Sequence, residues 1–200
     1  MTNTNQISQT RQRNSYLVLG GARSGKSSFA EQQALCALEA CSNGRLHYIA
    51  TATYLDDEMR ERIAHHQQRR DELWAEHEVP VELAEKLQSF DQDDVVLIDC
   101  LTLWLNNVIF ELGDDATNEQ VEAVVEVLVK SVEQSPAQII MVSNEVGLGV
   151  VPLGKVSRLF VDNAGRMNQS LARVVERVTL IAAGLPLNLK PSIHSIHSEG

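Results

Sequence analysis

Cysteine is scarce in this chain: Cys36, Cys41 and Cys100 are the only three in 200 residues, and none forms a Cys-x-x-Cys pair. That excludes a disulfide-stapled scaffold. The odd number, in a chain that opens on polar residues rather than a signal sequence, points to reduced thiols in a cytoplasm. Basic charge is short as well. Seventeen Lys and Arg against 27 Asp and Glu leave a formal charge of −10, so long-range steering toward nucleic acid or anionic lipid is not expected. Any phosphate site must be built locally. Apolar runs are short too, none approaching the ~18 residues of a membrane helix, so no membrane insertion is expected. What is present, 44% hydrophobic and 22% charged residues, is the make-up of one globular domain.

Residues 1–15 are almost entirely Thr, Asn, Gln, Ser and Arg and bury too little apolar surface to offset the entropy of ordering. They read as a polar tail, as do residues 190–200, with Pro191, His194 and His197. Between them, 16–189 reads as a single domain. Short continuous apolar runs recur at Tyr16–Leu19, Leu46–Ala50, Val95–Ile98, Ile139–Val142 and Val178–Ala182. Continuous hydrophobicity predicts strands covered on both faces, as in a parallel sheet with crossover helices. Helices are expected at Lys26–Cys41, Asp56–His77, Leu101–Leu112, Asn118–Gln134 and Asn163–Glu176. Thr117 and Gln120 fit a capping box before the fourth. The fold class is α/β, without internal repeat or interdomain linker.

Gly20, Gly21, Ala22, Arg23, Ser24, Gly25, Lys26 and Ser27 fit G-x-x-x-x-G-K-[ST], directly after the first strand and at the opening of a helix. The glycines let successive N–H groups point into one concavity, and the helix N-terminus adds positive potential for phosphate. Lys26 would reach the β and γ phosphates and the Ser27 hydroxyl would hold Mg²⁺. Val95 to Asp99 brings a carboxylate to the end of a buried strand, where open α/β sheets place ligands, and Asp99 reads as the second metal acid. It can equally cap the helix beginning at Leu101.

No base-reading Asn-Lys-x-Asp of a GTPase switch is present, and Asp162-Asn163-Ala164-Gly165 reads as a turn before a helix. His65 and His66 lie in a highly charged stretch from Asp56 to Arg70. Neighbours on a helix project about 100° apart, and adjacent histidines lack the i, i+4 spacing of a zinc pair. A neutral imidazole can attack phosphorus, and Arg62, Arg69 and Arg70 can neutralise phosphate beside it. On residue chemistry alone, however, the pair reads as a solvated face. His47 and His77 show no obvious partner.

Taken together, Gly-Gly-Ala-Arg-Ser-Gly-Lys-Ser at 20–27, Tyr-Ile-Ala-Thr-Ala-Thr at 48–53, Asp-Asp-Glu-Met at 56–59, Arg-Ile-Ala-His-His at 62–66, Ser-Asn-Glu-Val-Gly at 143–147 and Ala-Gly-Arg-Met-Asn-Gln at 164–169 resemble one family. It is the bifunctional adenosylcobinamide kinase and adenosylcobinamide-phosphate guanylyltransferase family of cobalamin biosynthesis. The resemblance runs from the first strand to about Leu185.

The resemblance implies a P-loop NTPase-type, RecA-like, mostly parallel sheet flanked by helices. It implies two reactions: phosphorylation of adenosylcobinamide by GTP or ATP, then transfer of GMP from GTP to adenosylcobinamide phosphate. The second releases pyrophosphate and passes through a guanylylated histidine, which falls on His65. By the same resemblance His66, Gln67, Gln68 and Arg69 adjoin the nucleotide, Thr51, Ala52 and Thr53 line its site, and Glu78 and Asp99 are further GTP contacts. Lys26 serves catalysis, and the protein is a homo-oligomer, a trimer. Glu145 reads as a nucleotide or corrinoid contact, and Arg166 and Asn168 as able to reach a phosphate. The other readings left open are a single-activity P-loop nucleotidyltransferase and a non-catalytic P-loop regulator.

Overall fold

The structure is a computed structural model that describes residues 15–41, 43–52, 73–149 and 152–191. The apolar runs become strands: β1 Tyr16–Gly20, β2 Arg45–Ala50, β4 Asp94–Asp99, β5 Gln138–Asn144 and β6 Arg177–Ala182. Two further strands join them, β3 Trp74–Glu78 and β7 Leu185–Lys190. The sheet order is β3-β2-β4-β5-β1-β6-β7. Strands β1 to β6 run parallel, and β7 returns antiparallel along β6.

Alternate residues of the central strands feed opposite faces, as the two-residue strand repeat requires. Leu17, Leu19, Val96, Ile98, Ile139 and Met141 enter one apolar cluster. Tyr16, Val18, Val95, Leu97, Ile140 and Val142 enter the other. Helix α1, Lys26–Glu39, covers the second cluster through Ala30, Ala34 and Ala37. The first is covered by α2 Leu83–Leu87, α3 Leu101–Leu112, α4 Asn118–Gln134 and α5 Lys155–Val174. Burial on both faces is why these strands are continuously apolar. Helix α4 begins at the capping box: the Gln120 N–H donates to Thr117 Oγ1 and the Thr117 N–H to Gln120 Oε1. No helix among the described residues is long and apolar enough to cross a membrane.

Three elements differ from the sequence expectation. Residues 74–77, expected as the end of a helix, lie in edge strand β3, in register with β2 from Leu46↔Trp74 to Ala50↔Glu78. An edge strand is half wet, so its polar Glu76-His77-Glu78 stretch shows no apolar run. Helix α5 starts at Lys155, so Asp162 to Gly165 is helix interior rather than a turn. Strand β7 follows a tight turn in which Ala183 and Gly184 take φ of 50° and 79°, and its residues are mostly exposed.

Candidate functional site

The parallel strands end along one edge, where their carboxyl ends leave a crevice for ligand. Gly20 of β1 is level with Asn144 of β5 and Ile181 of β6. On the other side Asp99 is level with Ala50, and Ala50 with Glu78. The P-loop opens from Gly20. Arg23 and Gly25 take φ of 55° and 95°, curling the backbone into the left-handed region that aims amides inward. Gly25 is the N-cap of α1, and no side chain caps that helix. Its first-turn N–H groups therefore have no side-chain acceptor and keep their affinity for an anion.

Lys26 is buried, and its Nζ donates to Gly21 O at 3.0 Å, folding the ammonium over the loop. Ser24 Oγ is buried with no hydrogen-bond partner among the described residues, and the Ser24 carbonyl accepts from the Gly184 N–H at 2.9 Å. The loop is thus pinned to the β6–β7 turn while one hydroxyl inside it stays unsatisfied. Ser27 follows in the first turn of α1.

Asp99 ends β4, and the N-cap of α3 is Cys100, not Asp99. The Asp99 carboxylate is therefore not spent on the helix, and the peptide that follows it is cis. Behind it stands Thr51, fully buried. Its hydroxyl donates to Cys100 O at 2.7 Å and accepts from the Cys100 N–H at 2.9 Å. Its carbonyl accepts from Asn107 Nδ2 at 2.8 Å. Thr51 sits at the site as the support behind Asp99, with its side chain turned into the protein. Burial, and next Asp99, push the Cys100 thiol up, against smaller opposing effects that include the Lys26 charge.

The P-loop and Asp99 are brought to one edge, with Ala52 two residues beyond the end of β2 and Glu78 at the tip of β3. Thr53, His65, His66, Gln67, Gln68 and Arg69 lie outside the described residues. Glu145 bonds its own turn, its Oε1 accepting from the Gly147 N–H at 3.2 Å, and its N–H donates to Gly20 O at 3.1 Å. Arg166 joins α5 to α4: Nη1 donates to Glu122 Oε1 at 2.6 Å and to Asn118 Oδ1 at 3.3 Å. Asn168 accepts from the Ser143 hydroxyl at 2.7 Å and donates to Asn144 O at 3.4 Å, buttressing the tip of β5.

His47 and His77 do have partners. His47 Nδ1 lies 3.1 Å from His77 Nε2, and His47 Nε2 lies 3.1 Å from Asp94 Oδ1. The two rings stack at 5.3 Å, with Phe90 against both. Only the β2–β3 register, which pairs residues about thirty apart, could have revealed this.

Comparison with known proteins adds an independent line. Residues 16–189 match the family described as cobinamide kinase / cobinamide phosphate guanyltransferase. The bifunctional adenosylcobalamin biosynthesis protein CobP of Pseudomonas aeruginosa is 47% identical over 175 residues, covering 87% of this chain and 96% of that protein. The bifunctional adenosylcobalamin biosynthesis protein CobU of Escherichia coli is 39% identical over 184 residues, covering 87% and 98%. The protein of the same name in Salmonella typhimurium is 36% identical over 184 residues, with the same coverage.

Proposed function

The chain belongs to the cobinamide kinase / cobinamide phosphate guanyltransferase family, and from that premise we propose that its P-loop crevice serves both transfers at one nucleotide site. It is a bifunctional transferase of cobalamin biosynthesis, an adenosylcobinamide kinase and adenosylcobinamide-phosphate guanylyltransferase. The observation that carries the reading is the uncapped N-terminus of α1, with Lys26 folded over it, on the same sheet edge as Asp99.

In the kinase reaction the adenosylcobinamide hydroxyl oxygen attacks the γ-phosphorus of GTP or ATP and the bond to the β–γ bridging oxygen breaks. Lys26 and the loop N–H groups stabilise the charge that gathers on the departing diphosphate. In the guanylyl transfer an imidazole nitrogen of His65 attacks the α-phosphorus of GTP, and pyrophosphate leaves. A phosphate oxygen of adenosylcobinamide phosphate then attacks the same phosphorus and frees His65, a double displacement. His66, Gln67, Gln68, Arg69, Thr53 and Glu78 are assigned to the nucleotide around that histidine.

The donor set fits Mg²⁺. Ser27 and Asp99 offer two hard oxygen donors, too few to hold an ion by themselves. That suits an ion which keeps its waters and binds through phosphates. When bound it would neutralise phosphate charge between Ser27 and Asp99. The protein is further proposed to be a trimer working in the cytoplasm, where Cys36, Cys41 and Cys100, none of them in a disulfide, stay reduced.

The test is turnover of adenosylcobinamide by Lys26→Ala, with folding checked by circular dichroism. Phosphorylated product should form at least roughly 10²-fold more slowly. Undiminished turnover would remove the P-loop from the mechanism.

A further inference from the structure

Strand β5 lies between β1, which carries the P-loop, and β4, which carries Asp99. Its last residue is Asn144, level with Gly20. The next N–H, that of Glu145, donates to Gly20 O at 3.1 Å, so the tip of β5 is fastened to the base of the P-loop. The Asn144 side chain reaches the other way. Its Nδ2 donates to Thr102 Oγ1 at 2.7 Å, and Thr102 Oγ1 is 3.1 Å from Cys100 Sγ. Thr51 holds the same Cys100 from the far side through both backbone atoms. Asn168 steadies Asn144 from α5, donating to its carbonyl.

Thr51, Cys100, Thr102, Ser143 and Asn168 are all buried, and Asn144 is half-buried. A largely buried polar chain whose groups are partnered is rigid, because breaking a link leaves its buried member, here Thr102, without that partner. This chain runs from the support behind Asp99, across Cys100 and the first turn of α3, to the strand tip attached to Gly20. It links the two halves of the nucleotide site through side chains that the catalytic assignment leaves unused.

We propose that Asn144 is a positioning residue: through its hydrogen bond to Thr102 it holds the junction of β4 and α3 at a fixed distance from the P-loop, so that the Asp99 carboxylate meets the Mg²⁺–triphosphate seated on Lys26 and Ser27. The inference rests on the reading of Asp99 as the metal acid. Groups that orient metal ligands, without touching the metal, commonly alter metal affinity by about 10–100-fold. A polar cluster that only fills space would lower stability and leave the metal dependence alone.

The experiment measures binding of a non-hydrolysable GTP analogue to the full chain by calorimetry, once in excess Mg²⁺ and once in EDTA. Asp99→Asn, Asn144→Ala, Thr102→Val, Thr102→Ser and the Asn144→Ala/Thr102→Val double variant are compared with wild type. Asp99→Asn should lose the affinity gained from Mg²⁺. Asn144→Ala and Thr102→Val should each cut that gain by about tenfold, with EDTA affinity within about twofold of wild type. Thr102→Ser keeps the hydroxyl and should keep the gain. The double variant should fall no further than either single one, since both break one link. Should Asn144→Ala not fold, the Thr102→Val and Thr102→Ser pair poses the same question with smaller changes.

A full Mg²⁺ gain in Asn144→Ala or Thr102→Val, beside a lost gain in Asp99→Asn, overturns the positioning role and leaves the metal reading standing. Equal losses in Mg²⁺ and EDTA overturn it in favour of a structural role. A full gain in Asp99→Asn removes the metal reading, and the inference with it.

Discussion

Gly20 stands so close to Ile181 that a Cβ on Gly20 would fall 2.7 Å from the Ile181 carbonyl oxygen and 2.5 Å from Ser24 Oγ. The hydroxyl can turn away, but the carbonyl belongs to the paired strand β6 and cannot. Gly20→Ala should therefore cost about 1–3 kcal/mol of stability and weaken nucleotide binding by displacing the loop. Gly21 is the internal control, since a Cβ there meets nothing within 4 Å. Gly21→Ala should stay within about 0.5 kcal/mol of wild type. Urea denaturation of both variants decides the matter; equal midpoints would mean the loop does not press on β6.

Thr51 gives a second prediction. Its hydroxyl serves the N–H and the carbonyl of one residue, Cys100, inside a dry site. Thr51→Val keeps the shape and leaves both groups without that partner, which should cost about 1–3 kcal/mol. Thr51→Ser keeps the hydroxyl and should recover most of the loss. Denaturant midpoints of the two variants would coincide if the hydroxyl had no such role.

The His47–His77 pair predicts how stability depends on pH. Burial first, then Lys86 and His47, hold the His77 imidazole below the ordinary histidine value of 6.5. The unfolded chain therefore takes up a proton more readily than the folded one. This contribution is complete above pH 6.5 and declines as the pH falls below it. The second group is Asp94. Burial would raise its carboxyl, but the Asp91 N–H, His47 and Arg45 together bring it below the ordinary 3.8. Its contribution is present above that value and is lost only in stronger acid. The melting temperature should fall from pH 7.5 to 5.5, and His77→Gln should flatten that slope. An unchanged slope would detach His77 from it.

The parts most legible in the sequence were those whose physics is local. Tyr16–Leu19 and Val95–Ile98 are continuous apolar runs because both faces are covered, and the Thr117–Gln120 box marks the first turn of α4 at a spacing of three residues. The Gly20 to Ser27 motif names its own flanks. What escaped depended on partners distant in the chain. Strand β3 is polar because it lies at an edge, and it is a strand because β2 is beside it. Arg166 has the composition of a phosphate ligand, yet it faces Glu122 because of how α5 lies on α4. The histidine pair and the Asn144–Thr102 link both need a sheet register that no stretch of sequence displays.

His65 is proposed to carry the guanylyl group between GTP and adenosylcobinamide phosphate. The most direct test is to incubate the protein with GTP labelled at the α or the γ phosphorus, denature it, and follow the label that stays bound. The account predicts retained α label, labile in acid and stable in base as a phosphorus–nitrogen bond should be, absent from His65→Ala and present in His66→Ala. Retained γ label, no retained label, or α label undiminished in His65→Ala would contradict it.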